Sequence, residues 1–333
     1  LFALLSVLGI FAMVGNASHA ADAEPKVLRA GMIGLDTSHV IAFTRLFNSD
    51  KATGDLAGIK IVAGYPGGTD IPASKDRVEG FTKQLAEMGV EIVPSIPALL
   101  EKVDVVLLES VDGRPHLEQA KPVFAAKKPV FIDKPVAGSL VDTLKIYDLA
   151  KKSGTPCFSA SSLRFGPAVK AACADPKVGK ITGCAAWSPC TLEPSVPDLF
   201  FYGIHGVEML YTVMGTGCQT VTRVHTPDTD YVTGVWKDGR IGTFRGIRKN
   251  KADYGLTVFG EKGILPVAGS FSGYDGLCVE IARFFKTGKA PVSPEETIEI
   301  FAFMEAADES KRQGGKPVSV PEVLERARKA AGL

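Results

Sequence analysis

The sequence has no C-x-x-C pair. Its six cysteines (Cys157, Cys173, Cys184, Cys190, Cys218 and Cys278) keep no metal-ligand spacing, which excludes a zinc ribbon or a thioredoxin-type redox motif. They read as small buried hydrophobes, with an occasional bridge left open. Charge of one sign is equally lacking. Lys and Arg number 38 against 37 Asp and Glu, a formal net charge of +1, and they are spread along the chain. That leaves no electrostatic footprint for nucleic acid or an anionic membrane. There are no internal repeats and no low-complexity segments. Only one long apolar run occurs, at Leu1–Gly15, and nothing after it is apolar enough to span a bilayer.

That run is shorter than the roughly 20 residues of a membrane helix and suits the apolar core of a signal peptide. Small residues follow at Ser18-His19-Ala20 and Ala21-Asp22-Ala23, in the pattern of a cleavage site. Residues 1–23 are therefore expected to be a signal peptide truncated at its start, and the mature protein periplasmic or extracellular. The other reading of the run is an uncleaved anchor.

What remains is ordinary globular composition, 45% hydrophobic and 23% charged over 333 residues, enough for about two domains. From Val27 to about residue 158, short apolar strands alternate with capped helices: Val27–Ile33, Ile59–Ala63, Glu91–Val93, Val103–Leu108, Pro129–Ile132 and Cys157–Ala160. Ser38, Ser74 and Ser139 are placed as helix caps. This alternation predicts an α/β domain with a Rossmann-type, doubly wound parallel sheet over 24–158. From 159 to 333 the pattern changes. Ile181–Trp187, Val221–Val224, Tyr231–Lys237, Arg240–Gly246 and Tyr254–Phe259 read as strands, with Asp238-Gly239 as a hairpin turn. Phe201–Gly215 and the segment near 293–313 read as helices. The second domain is thus expected to be α+β with a mostly antiparallel sheet, its 293–313 helix packing back on the first domain.

In an open parallel sheet, ligands gather at the carboxyl ends of the strands. Four segments fall there. In Gly34-Leu35-Asp36-Thr37-Ser38-His39, a strand, a glycine turn and a helix follow in dinucleotide-fingerprint order. Asp36 and His39 stand where that fingerprint has its second and third glycines. Helix-terminal N–H groups there suit a pyrophosphate, but a carboxylate repels one; a plain strand–helix turn capped by Ser38 is the competing reading. The second segment, Tyr65-Pro66-Gly67-Gly68, lacks the acid that usually holds the adenosine ribose. Tyr65 is a candidate to stack on adenine, and Lys75 and Arg77 stand downstream as partners for a 2′-phosphate or as solvated charges. The third, Glu109–His116, offers Glu109, Ser110 and His116. The fourth is Asp133-Lys134-Pro135.

Asp133-Lys134-Pro135 resembles the E-K-P motif of the glucose–fructose oxidoreductase and inositol dehydrogenase (Gfo/Idh/MocA) family. Val103–Val106 leading to Pro115-His116 is similar to that family's fourth strand and loop. Ser161–Phe165 resembles its entry into the second domain, and Tyr202-Gly203-Ile204-His205 with Glu208 its D-x-G-x-H-x-x-D helix. Ser293–Val318 resembles its C-terminal helix and strand. The resemblance runs in order along nearly the whole mature chain. It implies NAD or NADP as cofactor, held by Gly34, Asp36, Thr37, Ser38, His39, Tyr65, Glu109, Ser110, His116, Asp133 and Lys134. It implies Lys134 between nicotinamide and substrate, His205 as acid or base, and Arg164 and Glu208 near the substrate. No metal is implied. The family's helix acid is missing: Phe201 or Tyr202 stands in its place, leaving Tyr202 as a proton donor, Glu208 on the same helix face to orient His205, and Asp198 just upstream as a substitute if its loop folds back.

The leading expectation is an NAD(P)-dependent oxidoreductase that moves hydride to or from a sugar, polyol or related hydroxy compound, with homo-oligomerisation through the second-domain sheet. The alternatives are an exported, non-catalytic ligand-binding relative, and a lyase or glycosidase that uses tightly bound NAD.

Overall fold

A computed structural model describes residues 27–333. The signal peptide expected at residues 1–23 lies outside them. The first sheet has six parallel strands: β1 (Leu28–Ile33), β2 (Ile59–Tyr65), β3 (Glu91–Ile92), β4 (Val105–Leu108), β5 (Val130–Ile132) and β6 (Cys157–Phe158). Their order is β3-β2-β1-β4-β5-β6, so the chain reverses direction across the sheet between β1 and β4. The central strands β4 (VVLL) and β5 (VFI) are buried at every residue. That is why the sequence there runs apolar without alternation: helices cover both faces.

Those helices are α1 (Ser38–Phe47), α2 (Pro72–Lys75), α3 (Val78–Glu87), α4 (Ile96–Leu100), α5 (His116–Ala125) and α6 (Leu140–Ser153). Ser139 caps α6 as the sequence predicts, its Oγ accepting from Asp142 N at 3.0 Å. Two other expected caps change. Thr37, not Ser38, caps α1, accepting from His39 N at 3.4 Å. Ser74 caps nothing; the helix expected from it is broken into α2 and α3. Its hydroxyl instead donates to Asp36 and accepts from Thr69 N.

After α7 (Pro167–Ala174) comes the second sheet. Its strands are β7 (Ile181–Pro189), β8 (Cys218–His225), β9 (Thr229–Trp236), β10 (Ile241–Ile247), β11 (Gly255–Gly260), β12 (Ile264–Ala268) and β13 (Val318–Ser319). The order is β12-β11-β7-β10-β9-β8-β13. All pairs are antiparallel except β7 with β10. Residues of β9 alternate between faces: Val232 and Trp236 point inward, while Tyr231 and Val235 are exposed.

The inner face packs on α8 (Ile204–Met214) and α10 (Pro294–Arg312). Helix α9 (Asp275–Thr287) lies against α1, and α11 (Val320–Ala331) against α6. Helix α10 touches α6 of the first domain as well as β8 of the second. One apolar cluster accordingly runs from Leu108 and Ile132 through Phe301 and Phe303 to Trp236. All six cysteines are unpaired, and five are buried. Among the described residues, no helix is long and apolar enough to cross a membrane.

Candidate active site

The first turn is built around Gly34, whose φ of +84° only glycine adopts without strain. A Cβ there would stand 2.5 Å from the Ser110 backbone nitrogen. The N–H groups of Gly34 and Leu35 are spent on Tyr65 O and Pro66 O, so β2 closes directly on the turn. Asp36 is fully buried. Its carboxylate accepts from Val111 N at 2.9 Å and from Ser74 Oγ at 2.6 Å. It thus ties together the chain after β1, β2 and β4. Burial raises its pKa, and these hydrogen bonds offset part of the rise.

Beyond Asp36, the start of α1 opens on a cavity of about 380 Å³. Thr37, Ser38 and His39 form one wall, with Arg77 and Val111 beside them. Lys134 reaches it from the loop after β5. Ser162, Tyr202, His205, Tyr254, Phe271 and Tyr274 close it from the other side. Both domains therefore contribute. Helix α8 is preceded by a π-helical turn, Leu199–Gly203, from which Tyr202 faces the cavity.

His205 is 8% exposed, and its Nδ1 lies 2.7 Å from Ser161 Oγ. Burial, with Lys134 and His39 nearby, holds its pKa well below the ordinary histidine value. A neutral ring whose Nδ1 is fixed by a hydroxyl is suited to accepting a proton. Tyr202 meets the His205 ring edge-on, centroids 5.3 Å apart, and Tyr254 does so at 5.9 Å.

Behind His39 lies a second group. Glu109 and Asp133 each follow the last residue of neighbouring parallel strands, since Leu108 pairs with Ile132. That register sets the two acids side by side. Both are buried, and none of their four carboxylate oxygens has a hydrogen-bond partner. His39 Nδ1 lies 2.8 Å from Asp133 Oδ2 and 3.9 Å from Glu109 Oε2, close enough for an ion pair but not aligned as a hydrogen bond. Burial and the charge of Asp133 push Glu109 well above the usual carboxylate range. Asp133 goes the other way despite its burial, because His39 and Lys134 favour its charge.

Several expected site residues lie elsewhere. Arg164 does not face the cavity. It is buried in an ion pair with Glu208 at 2.9 Å and another with Glu296 at the start of α10. Glu208 is spent on Arg164, and its burial raises its pKa to about 7. Asp198 pairs with Arg223 and Lys311 rather than folding back to His205. His116 is fully buried, its ring nitrogens 3.2 Å from Val136 O and 2.9 Å from Ser110 O. It fastens two strand-end loops together. Ser110 donates to Gln119. Tyr65 is half-buried outside the cavity, and Lys75 is exposed. The motifs assign no role to Ser161, Tyr254, Phe271 or Tyr274, because the loop after β6, the loop before β11 and the loop before α9 are far apart in sequence and converge only in three dimensions.

A six-stranded parallel sheet with a ligand cavity at its switch point, joined to a mostly antiparallel α+β domain, defines the Rossmann-type two-domain class. Residues 71–161, which hold Asp133-Lys134-Pro135, match the GFO_IDH_MocA family, described as an oxidoreductase family with an NAD-binding Rossmann fold. The resemblance carried by the motifs is borne out over residues 71–161, the stretch that matches this family. No curated protein sequence matches the chain. The fold is similar to solved structures along 88–89% of the chain. A probable dehydrogenase from Thermotoga maritima has TM-score 0.72 at 22% identity, with 89% of this chain and 100% of that chain covered. Scyllo-inositol dehydrogenase from Lactobacillus casei, solved with NAD(H) and scyllo-inositol, has TM-score 0.71 at 15% identity, with 89% and 100% covered. Myo-inositol 2-dehydrogenase from Lactobacillus plantarum has TM-score 0.71 at 18% identity, with 88% and 99% covered.

Proposed function

We propose that the protein is an NAD(P)-dependent oxidoreductase that transfers hydride to or from a secondary alcohol carbon of a sugar, polyol or related hydroxy compound. The observation that carries this reading is the meeting of Lys134 from one domain and His205 from the other in a single cavity at the start of α1. The family match and the inositol dehydrogenase folds support it.

The residues present fit a nicotinamide nucleotide at its phosphate and nicotinamide end. Thr37 and Ser38 open the ten-residue helix α1 at the cavity, and Arg77 adds a positive charge there. At the adenosine end no acid stands directly after β2, and the first one downstream, Asp70, is paired with Arg114. When bound, the nucleotide supplies the hydride chemistry. Lys134, 6% exposed, places an ammonium against the reacting oxygen and stabilises negative charge developing on it. His205, neutral and oriented by Ser161, takes the hydroxyl proton during oxidation and returns it during reduction. The ring edges of Tyr202, Tyr254 and Tyr274 supply apolar walls with hydroxyl ends for a small polar molecule. Site of action outside the cytoplasm, through the leader expected at residues 1–23, belongs to the same proposal.

The test is direct. Protein purified from cells is denatured and assayed for released nucleotide, then titrated with NADH and NADPH. Binding of either supports the reading; binding of neither, with the protein folded, overturns it and favours the non-catalytic relative, to which Asp36 in a glycine position already points. Where binding holds, Lys134→Ala is expected to cut turnover by roughly 10²–10⁴-fold.

A further inference from the structure

We infer that His39, Glu109 and Asp133 form a binding site for one divalent first-row transition cation, of the Zn²⁺ or Mn²⁺ kind, in the wall of the cavity. One ligand atom from each residue lies within 4.8 Å of the other two. Donors bound at about 2.0–2.2 Å to a tetrahedral ion stand about 3.4 Å apart, so the widest pair has to draw in by on the order of 1 Å, within reach of side-chain rotation.

Three observations carry the inference beyond a chance meeting of acids. The carboxylate of Glu109 is buried with no hydrogen-bond donor, and that of Asp133 is buried with only His39 and its own loop beside it and no well-aligned hydrogen bond. Native proteins rarely leave such atoms unsatisfied, and a buried carboxylate without a partner is costly. Among the described residues, His39 is the only basic side chain within ion-pair distance of either acid; the nearby Lys134 ammonium acts only at longer range. Finally, the third donor is an imidazole nitrogen. The His39 ring is held by Phe43 at 5.4 Å and Tyr274 at 4.7 Å between centroids, so Nδ1 is aimed at the acids before any ion arrives.

A nitrogen with two carboxylates is a donor set for zinc, manganese or ferrous iron, rather than for calcium or magnesium, which favour oxygen alone. Three protein ligands leave at least one coordination position open. His39 forms part of the cavity wall and the two acids lie behind it, so the open position suits a water or a small hydroxyl or carbonyl ligand. The site goes beyond the dehydrogenase reading and does not depend on it.

The experiment uses the full chain, freed of metal with a chelator and titrated separately with MnCl₂, followed by electron paramagnetic resonance of the free ion, and with ZnCl₂, followed by calorimetry. One ion per chain is expected. Glu109→Gln, Asp133→Asn and His39→Ala are each expected to weaken binding by at least about tenfold. Metal-free Glu109→Gln keeps the shape of the side chain, so its melting temperature separates lost binding from lost fold. No binding of either ion at millimolar concentration by folded protein, or binding unchanged in both carboxamide variants, overturns the inference. In the first case the buried acids share a proton instead. Parallel titration with NADH keeps the two readings apart: a metal without nucleotide removes only the dehydrogenase, and nucleotide without a metal removes only this site.

Discussion

The molecule buries charge in two places, and treats it in opposite ways. In the second domain, Arg223 is fully buried on β8 and pairs with Asp230, Asp308 and Asp198. Arg248 and His225 also reach Asp230, and Lys311 reaches Asp198. Each acid there has a basic partner, and the network welds β8 and β9 to α10. In the first domain, Glu109 and Asp133 sit just as deep with no well-aligned donor to their oxygens. Both clusters incur the desolvation cost of buried ions. The first recovers it within the chain; in the second, His39 and Lys134 offset Asp133 while Glu109 is left uncompensated. The difference separates a charge cluster that holds a fold together from one arranged for something that comes from outside.

The comparison can be broken at its strongest point by Arg223→Ala. This leaves Asp230 and Asp308 buried with too little positive charge, and is expected to destabilise the protein by about 3–5 kcal/mol in urea unfolding. A loss below about 1 kcal/mol would mean the network is not structural. Glu109→Gln should act in the other direction. Replacing an unpartnered buried carboxylate with a neutral isostere is expected to stabilise the metal-free chain by about 1–3 kcal/mol. Destabilisation would show that the Glu109 charge is already compensated.

A third measurement uses pH. Glu208, paired with Arg164 yet fully buried, holds its proton up to about pH 7. Between the ordinary glutamate value near 4.5 and about 7, the folded chain therefore binds a proton that the unfolded chain has released. Its contribution to stability falls as pH rises through that window and is constant above it. Relative to wild type, Glu208→Gln is thus expected to gain stability from pH 5 to pH 7, by up to a few kcal/mol, in melting curves recorded across that range. A difference that does not change with pH would place the Glu208 pKa near normal. The smallest effect belongs to His225, which is only partly buried at the rim of the paired network. His225→Asn is expected to cost no more than about 1 kcal/mol.

The order of strands and helices in the first domain was legible because central parallel strands demand unbroken apolar runs, and β4 and β5 have them. The second sheet was legible in outline from alternation and the Asp238-Gly239 turn. Strand β12 was not seen, since every residue of it stays at least partly exposed. Lys134 and His205 were found because their motifs carry them, and the cavity holds both. Arg164 and Glu208 were placed near the substrate by position in a motif, and Asp198 by lying just upstream of one. A motif fixes where a residue sits on its element, but not which charged partner its side chain meets. Arg164 and Glu208 found each other, and Asp198 found Arg223. His39, Glu109 and Asp133 were legible as residues at the strand ends, but not their convergence on one point. Those residues are spread over 95 positions, and only the register of β4 against β5 brings the two acids together.

Helix α10 has a consequence for how the chain comes apart. It touches α6 on one side and β8 on the other, and the apolar cluster passes through it without a break. Neither sheet can shed that helix without exposing the other's interior. The two halves should therefore melt in one step, and a protein cut after the first sheet should lack the surface it needs to stand alone.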